Sequence, residues 1–122
     1  MDLQTERLIE QYLKLANLTV IRIEPRMEFV LPPLHHYIEY VNNRILLSLS
    51  SPIDPPRRDE VLPALLRRCV PARTSGVPLR AYVVKNRLVL SCSPAPNTDV
   101  RHWLSCGQVM RRLLDTRTGE NL

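Results

Sequence analysis

At 122 residues the chain has room for one domain with a core of its own. Its 44% apolar and 24% charged content is that of a globular protein, not a disordered or fibrous one. The net charge of +5, carried by fifteen arginines and two lysines against twelve acids, points to anionic or carboxylate-bearing partners.

No apolar run approaches the ~20 residues that span a bilayer. The start Met1-Asp2-Leu3-Gln4-Thr5-Glu6 lacks the basic-then-apolar pattern of a signal peptide, so a soluble, cytoplasmic protein is expected. Cys69, Cys92 and Cys106 are odd in number and form no CxxC pair, which argues against a disulfide framework and fits a reducing compartment.

Residues 2–16 read as a helix, with Leu8, Ile9, Tyr12, Leu13 and Ala16 on one stripe, Asp2 as N-cap and Asn17 as stop. Leu18 to Ile23 is a β-branched run and reads as a strand. After Pro25, the alternation of Met27, Phe29 and Leu31 predicts a second extended piece, ended by Pro32-Pro33. His36 to Val41 and Arg44 to Ser50 are two further strands around the turn Asn42-Asn43. Asparagine tolerates the positive φ that a two-residue hairpin demands.

Pro52 to Pro56 is a rigid connector. A helix from Asp59 to Val70 follows, capped by Asp59 or Asp54, with Pro63 expected in its first turn, where proline costs little. Arg73 to Gly76 is an expected exposed loop. Leu79–Val84 and Arg87–Cys92 form a second hairpin around Lys85-Asn86. A last helix, capped within Asn97-Thr98-Asp99, carries Val100, Trp103, Leu104, Met110, Leu113 and Leu114. Gly107 inside it costs about 1 kcal/mol of propensity, which a close backbone contact would offset. One domain is expected over residues 1–115 and a mobile tail over 116–122.

The two hairpins nearly repeat each other. Val41 to Ser50 aligns with Val84 to Ser93 at six identical positions of ten, and Pro52 and Pro94 follow.

Few residues point to catalysis. His35 and His36 are adjacent on a strand, so they face opposite ways and cannot chelate one metal. Cys106 and His102 share a helix face, but the thiol lies among apolar neighbours that raise its pKa. The chain's three glycines form no phosphate loop. No catalytic residue, metal or cofactor is expected. The arginine doublets Arg67-Arg68 and Arg111-Arg112 sit near helix C-termini, where the dipole favours cations. With 5% aromatics and no base-stacking strand motif, a small basic nucleic-acid-binding module is the second reading, and a structural adaptor of a larger assembly the third.

The order α-βββ-α-ββ-α resembles the class I type III secretion chaperones, the Tir-chaperone (CesT-like) family. The resemblance is carried by the strand pair Tyr37 to Ser50 running into Ser51-Pro52, the helix after it, the small-residue loop Thr74-Ser75-Gly76, the second hairpin ending Leu88-Val89-Leu90-Ser91, and the capped helix with Trp103 and Leu104. It implies an α+β fold, a twisted antiparallel sheet flanked by helices. It also implies a non-catalytic cytoplasmic bacterial protein, with no membrane or nucleic-acid partner, that holds the unfolded N-terminal segment of a secreted effector or gatekeeper protein. By element position, the cargo-binding residues would be Leu8, Tyr12, Val20, Arg22, Phe29 and Leu31. Those of a dimer interface would be Leu62, Leu65, Leu66, Cys69, Tyr82 and Val84. The resemblance implies a homodimer or a heterodimer; family members are usually acidic, and the basic charge here suits a heterodimer with an acidic sister chaperone, or a cargo with acidic patches, better than a homodimer.

Overall fold

A computed structural model describes residues 1–74, 76–95 and 98–119. The elements are α1 (Leu3–Leu15), β1 (Arg26–Leu31), β2 (Leu34–Val41), β3 (Arg44–Pro52), a 3-10 turn (Pro55–Arg57), α2 (Arg58–Arg68), the short α3 (Pro71–Thr74), β4 (Arg80–Val84), β5 (Arg87–Cys92) and α4 (Val100–Gly119). The strands form one antiparallel sheet in the order β1-β2-β3-β5-β4. This is the expected α+β architecture. Among the described residues no helix is long and apolar enough to cross a membrane.

The near-repeat is a structural repeat. Both hairpins turn on two residues with positive φ, Asn42 (52°) and Asn43 (62°) in one, Lys85 (48°) and Asn86 (63°) in the other. The two copies then meet at the centre of the sheet. Ser48 of β3 pairs with Ser91 of β5, its own counterpart in the repeat, and the two Oγ atoms lie 2.8 Å apart. A local two-fold axis therefore passes between them. Arg44 and Arg87 obey the same symmetry. Arg44 Nη2 donates to the carbonyls of Ser93 (3.5 Å) and Pro94 (3.1 Å), while Arg87 Nη2 donates to those of Ser50 (3.1 Å) and Pro33 (3.2 Å). Each hairpin thus clasps the far end of the other.

The register sorts side chains between two faces. Ile38, Leu47, Leu49, Leu88, Leu90 and Cys92 face the helices and are buried. His35, Tyr37, Glu39, Ser48, Ser50, Ser91, Tyr82 and Val84 lie on the other face, which among the described residues no helix covers. His35 and His36 do point opposite ways.

Four local expectations need correction. Residues 18–23 form no strand: β1 and β3 take both sides of β2, and the run lies beside the outer edge of β1 without pairing to it. The Pro25 carbonyl instead accepts from Tyr40 N (2.7 Å), and Leu18 alone of the run's first four residues is buried. Pro63 lies in the second turn of α2, not the first, because the helix starts at Arg58. The Asp59 carbonyl that it leaves without a donor sits on the exposed side, open to water. Neither Asp54 nor Asp59 caps α2; Arg57 stands at the N-cap, Asp59 and Glu60 favour the dipole of the first turn, and Glu60 also pairs with Arg57 at 3.1 Å. The expected loop after Pro71 begins as α3, whose Thr74 is buried and donates from its hydroxyl to the Val70 carbonyl (3.2 Å).

Other local readings hold. Asp2 accepts from Thr5 N at 2.7 Å, Asn17 stops α1 at φ 59°, and Asp99 accepts from Arg101 N and His102 N. The Asn97 part of the cap motif lies outside the described residues. Helix α4 runs four residues into the expected tail, and residues 120–122 are outside the described residues.

The helical layer is pinned to the sheet at Tyr12. Its hydroxyl lies 2.7 Å from His36 Nε2, and His36 Nδ1 lies 3.0 Å from the Ser48 carbonyl. A carbonyl only accepts, so Nδ1 carries the proton and donates to it, and Tyr12 donates to Nε2. Gly107 of α4 makes room for this: a Cβ there would sit 3.3 Å from the Tyr12 hydroxyl. The expected close contact at Gly107 is thus with a side chain that cannot retreat without breaking its hydrogen bond.

Two predictions follow from this linkage. Gly107→Ala should destabilise the native chain, yet stabilise the Tyr12→Phe background by about 1 kcal/mol, the ordinary helix-propensity gain; urea unfolding of the four proteins reads both. Burial holds His36 below its ordinary value of 6.5, with the Arg111 charge adding to the effect and the Ser48 carbonyl opposing it. The folded chain therefore keeps His36 neutral where the unfolded chain protonates it. That stability is complete above 6.5 and is lost as pH falls below it. The urea midpoint should drop between pH 7.5 and pH 5.5, and His36→Phe should flatten that drop.

Candidate binding surface

Two edges end the sheet, β1 and β4, each paired on one side only. An edge strand offers unpaired N–H and C=O groups to a second chain. The two edges differ in what flanks them.

Beside β1 runs the segment from Asn17 to Pro25. Leu18 anchors it, donating its N–H to the Leu13 carbonyl at 2.8 Å, and Pro25 ties its far end to β2. Between the anchors Val20 is exposed, and Ile21 is fully so at 105%. A groove of about 400 Å³ lies between this segment and β1, lined by Val20, Ile21, Arg22, Met27 and Phe29 among others. Arg22 pairs with Glu24 at 3.1 Å, and Arg26 with Glu39 at 3.6 Å.

Three of the six expected cargo residues, Val20, Arg22 and Phe29, therefore share one groove. Leu31, at the end of β1, lines an adjoining cleft of about 210 Å³ under the C-terminal turn of α1. Leu8 sits apart, in a depression of about 460 Å³ between the N-terminal ends of α1 and α4. Tyr12 is 2% exposed and belongs to the core: its hydroxyl is spent on His36, so it can floor a cleft but not hold a partner alone. Ile21 and Met27 line the same groove and stand outside the expected set. A strand over 18–23 would turn Ile21 away from Val20 and Arg22, whereas the alternation of Met27 with Phe29 places both on one face.

The expected dimer residues divide as well. Leu65 is 0% exposed and packs inward with Val61, so it is core and not interface. Leu66 is 49% exposed, while Leu62 and Cys69 are half-buried. Tyr82 and Val84 are exposed on the bare face of β4, whereas α2 packs against β4 and α4 from the helix side. The two sets meet only around the β4 edge.

The bare face holds a shallow trough of about 310 Å³ with Ser48 and Ser50 on its floor and Tyr37 and Tyr82 on its walls. Its hydroxyls are already engaged. Tyr82 bonds Ser91 (3.0 Å), and Arg87 Nε donates to Ser50 Oγ (2.8 Å).

The Cys106–His102 arrangement has contact, at 3.8 Å, but the thiol has no exposed surface for a substrate. Its titration departs from the expectation. A hydrogen bond from the Cys92 thiol draws Cys106 down against its burial, while the same bond and burial push Cys92 far up. Among the described residues no group of three His, Cys, Asp or Glu side chains could hold a metal ion.

A family model described as SsaM matches residues 2–117. The secretion system apparatus protein SsaM of Salmonella typhimurium is 30% identical in an alignment 106 residues long that covers 84% of each chain. Among solved structures, E. coli YbjN superposes with a TM-score of 0.64 at 15% identity, over 98% of this chain and 94% of its own. A chain of the HopA1–SchA chaperone–effector complex does so with 0.57 at 16% identity, over 98% and 96%. At such identities these two likenesses speak to the fold.

Proposed function

The chain belongs to the SsaM family, and on that footing we propose that it is a type III secretion chaperone without catalytic activity. It binds the unfolded N-terminal segment of a secreted effector or gatekeeper protein in the cytoplasm of a bacterium and keeps it competent for export. The observation that carries this reading is the free β1 edge beside a groove with exposed Val20 and Ile21.

The physics suits the task. An extended segment laid along β1 gains main-chain hydrogen bonds from the edge, and its alternate side chains meet apolar walls. Ordering a disordered segment is costly, so the contact must be long and apolar. The groove and the adjoining cleft at Leu31 supply such a track. The shared fold with a chain of a chaperone–effector complex supports the same reading.

A dimer would form around β4, from Leu62, Leu66 and Cys69 on one side of the edge and Tyr82 and Val84 on the other. The basic charge favours an acidic sister chain over a second copy. A second reading has its own support: the Salmonella relative carries the name of an apparatus protein, which favours a structural adaptor within a secretion assembly.

Affinity purification from the native host, with the mass of the complex read by light scattering, separates these. Val20→Asp with Ile21→Asp should weaken capture of the secreted polypeptide at least about tenfold without changing the melting temperature. Leu66→Asp should remove the sister chain or second copy and leave the secreted polypeptide's segment bound more weakly. Retention of a machinery component that neither variant disturbs would instead establish the adaptor.

A further inference from the structure

The cleft at the end of β1 has a composition that the groove beside it lacks. Leu15, Leu18, Leu31 and Leu104 form its walls, and Tyr12, His36 and Leu49 lie at its floor. Gly107 leaves the α4 wall recessed. The floor's polar atoms are already satisfied, since Tyr12 donates to His36 and His36 donates to Ser48. A polar group pushed into the cleft would find no free partner there, whereas an aliphatic side chain would lose only water contact. A volume of about 210 Å³ suits one such side chain rather than an extended ligand.

The mouth is different. Gln108 and Arg111 stand there on the exposed side of α4. Arg111 is close enough to influence both Tyr12 and His36. Among the described residues it forms no ion pair, and Asp115, one turn on, does not reach it. An unpaired arginine over an apolar slot selects for a carboxylate beside an aliphatic group.

Strand geometry sets the spacing. On a segment paired with β1, every second side chain lies on the helix face, the face of Phe29 and Leu31. A residue next to the aliphatic anchor points away from Arg111; one two positions along returns to the same side.

We propose that this cleft reads an aliphatic-x-acid pattern in the bound segment, the aliphatic side chain seated in the cleft and the carboxylate paired with Arg111. The proposal rests on the chaperone reading and specifies its cargo: an extended peptide with an acid two residues from a buried leucine, isoleucine or valine. It gives the chain's basic charge a local use.

The test is amide chemical-shift titration of the full chain with three synthetic peptides. These are acetyl-Val-Thr-Leu-Thr-Asp-Thr amide, its Asp-to-Lys analogue, and an isomer with the acid adjacent to leucine. The first should bind saturably, shifting the amides of Leu31, Gly107 and Arg111, and about fivefold more tightly than either of the others. Arg111→Glu should reverse the preference in favour of the lysine peptide, and Arg111→Gln should abolish it. Both changes are on an exposed site, and an unchanged melting temperature confirms the fold.

Equal affinity for the peptides, an unchanged preference in Arg111→Glu, or no saturable shift would overturn the proposal. If the peptides fail while the native secreted polypeptide still depends on Val20 and Ile21, the pattern is wrong and the chaperone reading stands. If both fail, the chaperone reading goes with it.

Discussion

The pairing of β3 with β5 is the constraint on which the rest of the molecule depends. It joins two hairpins distant in sequence through Ser48 and Ser91, and the small hydroxyls let the strands meet with no bulk on the bare face. Arg44 and Arg87 then close the two ends symmetrically. Exposed or half-exposed arginine bonds of this kind contribute modestly, so their larger effect is on register. A one-residue slip would break both clasps and turn one strand's pair, Leu47 and Leu49 or Leu88 and Leu90, out of the core. Burial of each such side chain is worth about 1.5–3 kcal/mol, so the slipped sheet could not hold together.

The pseudo-symmetric four strands leave two things over, and both bear on function. The first is β1, added to one side only, which converts a closed repeat into a sheet with an inequivalent edge. The second is the segment from Asn17 to Pro25, held at its ends and apolar between them. A free edge with exposed Val20 and Ile21 beside it is a liability for a protein with no partner. It is what a protein that holds extended chains requires. The Tyr12–His36 bond matters here too, because it keeps the floor beneath this edge rigid and dry of free polar groups.

Both hairpins are legible in the sequence because their chemistry is local. Asn42-Asn43 and Lys85-Asn86 accept positive φ, and strict alternation on either side identifies the buried face. The close contact at Gly107 is legible for a similar reason: a glycine in a strong helix pattern asks for a neighbour, though nothing local names Tyr12. Partner availability is what the sequence hides. Leu18 to Ile23 has every strand propensity, yet β1 and β3 take both sides of β2 and the run stays beside the β1 edge without pairing. Leu65 and Leu66 look equivalent on the α2 stripe, and only the tilt of that helix against β4 and α4 decides that one is core and the other surface. Arg111 reads as a dipole partner at a helix end; its place over the cleft depends on where α1 stops and β1 ends, two boundaries distant in sequence.

The central claim is that an extended segment of a secreted protein adds to the β1 edge. Amide hydrogen exchange of the chain, free and bound to that segment, tests it most directly. The account predicts slowed exchange at every second amide of residues 26–31, those pointing away from β2, with the amides of 80–84 unaffected by the segment. Protection at β4 or across the bare face, with β1 exchanging as in the free chain, would contradict it.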